Sequence, residues 1–111
     1  MQIIFYRTPA GQEPVREYLL GLSLRERAAA ADILDAIQEY GLQAPGVRFR
    51  QVKGKLWEFY IEAGTSHRIF YIVITGLMMV LLHSYKKQSR KAPVREVKIA
   101  ERRMKEVLYE S

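Results

Sequence analysis

The chain has 111 residues, a formal net charge of +6 and no cysteine, enough for one modest hydrophobic core without staples and excluding both a disulfide framework and a thiolate metal site. Its opening apolar run, in "MQIIFYR", stops at Arg7 and Pro9, too short for an export signal or a membrane span, so one domain over residues 1–111 is expected in the cytoplasm with no membrane partner. The charge is segregated, with a balance of −2 over residues 1–46 and +8 over residues 47–111; a concentrated positive field raises the local concentration of polyanions, and nucleic acid is the leading partner class.

Gln2 to Tyr6 reads as a first strand, ended by Thr8-Pro9 and Gly11. Pro14 suits the first turn of a helix, and Val15, Tyr18, Leu19 and Leu22 follow at helical spacing. Ser23 with Glu26 three residues on is a capping box, and Ala28, Ala31, Leu34 and Ile37 continue an apolar stripe until Gly41 closes this second helix. The two helices should form a hairpin laid on a sheet. Leu42 to Gly54 has no steady period and carries Arg48, Arg50 and Lys53 without an acid, so it reads as a basic loop leading to a strand at 56–61. Strands at 67–74 and 77–85 flank Thr75-Gly76, the pattern of a β-hairpin. Their nearly continuous apolar and aromatic content predicts cover on both sheet faces. After "KKQSRKA", Pro93 opens a last helix with Val94, Val97, Ala100, Met104, Val107 and Leu108 at helical spacing. The order β-α-α-β-β-β-α gives a small α+β domain with a mostly antiparallel sheet.

The hairpin is expected to bring Arg68 close to His83 and Ser84 at one sheet end, beside Tyr85, Lys86 and Lys87. Such a set suits phosphate chemistry. RNA cleavage without a metal uses the substrate's 2′-hydroxyl as nucleophile, so a protein must remove its proton, stabilise the phosphorane and protonate the leaving 5′-oxygen. Arg68 can hold two phosphate oxygens and keeps its charge. His83 titrates near neutral pH and suits proton transfer. Lys86 could position the scissile phosphate with Lys87, Lys53 and Lys55 could hold the neighbouring backbone, Arg90 and Lys91 extend the basic run, and Tyr85 could stack on a base or share in the relay. Each also has a plainer reading: Arg68 paired with Glu58, His83 as a satisfied core histidine, and Lys86 to Lys91 as a solvated charge run. With only His67 and His83 and no cysteine, no metal site and no cofactor are expected.

The segments "KGKLWEFYI", "HRIFYIV" and "VLLHSYKKQSRKAPVREVKIAERRMKE", in this order, resemble the RelE/HigB toxin superfamily, in particular its phage-related HigB-like branch, over almost the whole chain. The resemblance implies a RelE-like fold and a type II toxin that cleaves messenger RNA on the ribosome, neutralised by a cognate antitoxin that often carries a helix-turn-helix domain. It carries Arg68 onto the arginine of the family's "YR" strand, and His83, Lys86 and Lys87 onto its "LLHxFxKK" strand. Tyr60 departs from a commonly basic position, Tyr85 from a common phenylalanine, and Ala92 from a common threonine before the helix proline. Two alternatives stand beside this reading: a non-catalytic RNA- or ribosome-binding module, and a toxin-like fold that only binds a DNA-binding partner to regulate transcription.

Overall fold

The computed structural model describes residues 1–109; the end of the expected 1–111 domain lies outside them. The chain runs β1 (Gln2–Phe5), α1 (Pro14–Leu20), α2 (Leu24–Tyr40), a short 3-10 turn (Gly41–Gln43), β2 (Phe49–Lys53), β3 (Leu56–Ala63), β4 (Thr65–Ile74), β5 (Met78–Lys86) and α3 (Val94–Tyr109). The strands form one sheet in the order β1-β5-β4-β3-β2. β1 lies parallel to β5, reached across the sheet after the helix hairpin and three antiparallel turns, and the other neighbours are antiparallel. The α+β architecture and mostly antiparallel sheet expected from the sequence are what the fold has, and it is consistent with a RelE-like domain.

One expectation fails: Phe49 to Lys53 is a strand, not loop. It makes a hairpin with β3 through Gly54, whose φ of 55° is the left-handed conformation such a turn requires. β2 hid from the sequence because it is an edge strand with a register irregularity between Gln51 and Lys53. Charged side chains on an edge blunt pairing with other chains and also erase the apolar alternation that marks a strand.

The capping box forms as read, with the Ser23 side chain accepting from the Glu26 amide and the Glu26 carboxylate accepting from Ser23. α1 and α2 cover one sheet face, burying Val15, Leu19, Ala30 and Ile37 against Phe59, Ile61, Ile69, Tyr71 and Leu81. α3 covers the other, where Val97, Ala100, Met104, Val107 and Leu108 meet Leu56, Phe70, Ile72, Val80 and Leu82. Two covered faces explain the apolar continuity of β3, β4 and β5. Among the described residues no helix is long and apolar enough to cross a membrane.

Candidate functional site

Side chains alternate between the faces of a strand, so paired positions on neighbouring strands line up in rows across the sheet. Two such rows on the α3 face carry the polar chemistry. Tyr60 pairs with Arg68 and Arg68 with Tyr85. One step along the strands, Arg50 pairs with Glu58, Glu58 with Phe70 and Phe70 with His83. The helix α3 starts beside His83, through a 3.0 Å contact from Glu96, and runs away toward Tyr6 and Lys53 through Glu106 and Glu101. The row of Tyr60, Arg68 and Tyr85 therefore lies past the helix's beginning, at the end of the sheet that α3 leaves open.

Arg68 is nine-tenths buried there. Its guanidinium carbon stands 3.6 Å from the centroid of the Tyr60 ring, a cation–π contact that holds the charge without neutralising it. Its Nη1 donates to Ser66 Oγ and to the His67 carbonyl at 3.3 Å. Its Nε has no hydrogen-bond partner among the described residues. A buried, unpaired donor on a cation is costly unless something fills it. Glu58, 2% exposed, sits on the floor and accepts from Tyr85 Oη at 3.4 Å, with Arg50 Nη1 3.8 Å away. Burial first, then the Glu58 charge, holds the Tyr85 phenol protonated far above its ordinary range. Lys87 lies on the same side: its backbone amide donates to Ser66 O at 2.8 Å and its Nζ to Arg90 O at 2.7 Å. Burial, then the Arg68 charge, lowers the pKa of Lys87. Arg48, at the entry to β2, places its guanidinium 4.6 Å from the same Tyr60 centroid.

The residues singled out in the sequence separate into groups. Arg68, Tyr85 and Lys87 come together, with Arg90 and Lys91 on the loop that Lys87 folds back on. Arg68 sits opposite Tyr85 rather than His83 and Ser84, because the β4–β5 register places His83 opposite Phe70 and Ser84 opposite Ile69. His83 is still on the α3 face, since an irregularity in the ladder pairs Phe70 with His83 but Tyr71 with Leu81, leaving Leu82 as an extra residue. There it stacks parallel on Phe70, receives a hydrogen bond from Arg103 Nη1 at Nδ1, 3.2 Å, and donates from Nε2 to Glu96. Burial lowers its pKa. Lys86 is on the opposite face: it pairs with His67, whose ring is tucked under the helix hairpin between Tyr18 and Glu26.

Lys53 and Lys55 flank the β2–β3 turn at the far end of the sheet, with Lys53 3.5 Å from Glu101, so they do not stand beside Lys87 to hold the neighbouring backbone. A cavity of about 750 Å³ does lie at that far end, lined by Leu42, Phe49, Trp57 and Leu108 with Lys55 at its edge. Its walls are apolar, and the polar cluster at the Arg68 end is the candidate site on chemical grounds. Among the described residues no three His, Asp or Glu side chains gather as a metal would need.

Three members of the site were not singled out as such from the sequence: Arg50, Glu58 and Tyr60. The signal was the spacing of two in "RFR", "EFY" and "YKK", which puts alternate residues of three strands on one face. Reading it needed the register, and the register needed β2.

No curated protein matches the chain. A family model described as phage-derived protein, Gp49-like (DUF891), matches residues 17–105 and so spans both faces of the sheet and the whole open end with Arg68. The chain belongs to the phage-derived Gp49-like family, a toxin-like family related to RelE and HigB.

Proposed function

We propose that the protein is the toxin of a type II toxin–antitoxin pair, of the HigB-like kind, and that it cleaves messenger RNA on the ribosome as a metal-independent endoribonuclease. The observation that carries this reading is the convergence of Arg68, Lys87 and Tyr85 over Glu58 at the open end of the sheet. Arg68, whose buried Nε has no partner among the described residues, takes the scissile phosphate and stabilises the charge that grows on the phosphorane. The 2′-hydroxyl passes its proton to the Tyr85 oxygen as Tyr85 passes its own to the Glu58 carboxylate, so Glu58 is the base and Tyr85 the carrier. The new bond joins the 2′-oxygen to phosphorus, the bond to the 5′-oxygen breaks, and Lys87, its pKa lowered by burial and by the Arg68 charge, supplies the proton to that leaving group. His83, its two nitrogens engaged by Glu96 and Arg103, acts as a positioning residue that backs the Phe70 and Tyr85 stack. Lys86, Arg90 and Lys91 form the outer basic surface toward the ribosome. A cognate antitoxin with a helix-turn-helix domain is the expected protein partner, since a toxin of this kind needs one.

The saturation of His83 also favours a second reading, a non-catalytic RNA- or ribosome-binding module. Primer extension on transcripts after brief induction separates the two. A nuclease leaves discrete new 5′ ends within reading frames, and the cut RNA carries a 2′,3′-cyclic phosphate; a binding module arrests translation with transcripts intact.

A further inference from the structure

Glu62 supplies an observation the catalytic reading does not use. A single oxygen of this half-exposed carboxylate, Oε1, stands 3.8 Å from Arg48 Nη1 and 3.8 Å from Arg68 Nη1. It is an anionic atom shared by both guanidiniums, and it marks a place where an anion sits between them. The two guanidinium carbons lie 4.6 Å and 3.6 Å from the centroid of one ring, Tyr60, so both cations belong to one cluster, close enough for neighbouring phosphates of one strand to meet them. Arg68 is buried while Arg48 is 71% exposed, so a chain leaving Arg68 toward β2 rises from the floor to the rim. Arg50 stands beside Arg48 at the same edge, with half its side chain in solvent. Around this end four cations, Arg48, Arg50, Arg68 and Lys87, face two carboxylates, Glu58 and Glu62. The balance at this end is positive, which suits phosphodiesters.

We propose that Arg48 and Arg50 form a second phosphate subsite, which takes the phosphodiester next to the one at Arg68 after displacing the Glu62 carboxylate. The inference rests on the RNA reading above and names its substrate class: a single strand with at least two consecutive phosphates, laid across the sheet from β5 toward β2. A duplex does not fit this description, because its phosphates stay on a convex surface while Arg68 is recessed; an unpaired strand can sink a phosphate and splay its bases. Glu62 acts as an internal placeholder that keeps the two arginines in position when no RNA is bound and competes with it when RNA arrives.

The test uses 2′-O-methyl oligouridines, which cannot be cut, with one, two or three internucleotide phosphates and no terminal phosphate, and measures affinity by calorimetry at low salt. The parent protein gains about tenfold from one phosphate to two and little from two to three, each retained contact adding to the electrostatic term. In Arg48→Gln, an exposed change that leaves the fold intact, this step shrinks below about threefold while affinity for the one-phosphate probe stays within about twofold. In Glu62→Gln the step grows, because the competitor has lost its charge. A step unchanged in both variants overturns the subsite, as does failure of the parent to bind any of the three probes. The nuclease reading is scored separately by cleavage of messenger RNA on programmed ribosomes with the same variants. Cleavage with an unchanged step leaves the nuclease and removes the subsite, whereas an altered step without cleavage leaves the subsite and removes the nuclease.

Discussion

His83 and Glu26 tie folding stability to pH in separate windows. Burial, the largest cause, holds the folded pKa of His83 below 6.5, so between that lowered value and 6.5 the unfolded chain binds more protons than the folded one. The stability His83 contributes is present above pH 6.5 and is lost as pH falls through its folded pKa. Glu26 behaves in the same sense lower down. Its hydrogen bond from His67, then that from Ser23, holds its pKa at about 2 against an ordinary 4.5, so its contribution is present above pH 4.5 and is lost between there and about 2. Urea melts of the parent and of His83→Gln should therefore differ by a margin that narrows as pH drops below 6.5. The margin between the parent and Glu26→Gln should hold steady in that range and narrow below 4.5. A His83→Gln margin that widens on acidification would mean that the imidazole is folded in its charged form. The cap that Glu26 makes with Ser23 was legible and its bond from His67 was not, while His83 reads as a proton carrier or as a core group until the bulge and α3 put Arg103 and Glu96 on its nitrogens.

The β4–β5 hairpin was legible and β2 was not, and the difference is physical. Ile69 to Ile74 and Met79 to Leu82 are apolar on both faces because helices cover both, and a short turn holding Thr75-Gly76 punctuates them. β2 has a glycine turn of its own at Gly54 but lacks the apolar faces, being an edge strand whose exposed positions are Arg50, Gln51 and Lys53. The Thr75-Gly76 turn holds a local strain. Thr75 has φ of 56° and Gly76 of 74°, both in the left-handed region, and a β-branched residue is poorly suited to that conformation. Such strain costs on the order of 1 kcal/mol. Thr75→Asn should recover about that much and raise Tm by about 4 °C, with RNA cleavage unchanged because this turn is at the opposite end of the sheet from Arg68. A lowered Tm would show that the bond from Thr75 Oγ1 to the Ile74 carbonyl, 2.7 Å, outweighs the strain.

At the scale of the whole molecule, the segregation of charge in the sequence survives folding in altered form. Cations from β2, β4 and the loop after β5 meet at the open end of the sheet, whereas Lys53 and Lys55 are carried to the far end and Lys86 to the opposite face. Composition gave the sign of the charge at this end and the resemblance in strand order gave Arg68, but the membership of the site depended on register. A one-residue difference in pairing decides which lysine of Lys86 and Lys87 shares a face with Arg68.

Arg68 is the residue on which every part of the site converges, and single-turnover cleavage of messenger RNA on programmed ribosomes, by the parent and by Arg68→Gln, tests it most directly. Arg68→Gln keeps polar contact with Ser66 but cannot hold two phosphate oxygens or their growing charge. With folding verified by thermal melting, its cleavage rate should fall by at least about 10²-fold, with ribosome affinity lowered by much less. Cleavage by folded Arg68→Gln at the parental rate would contradict the account.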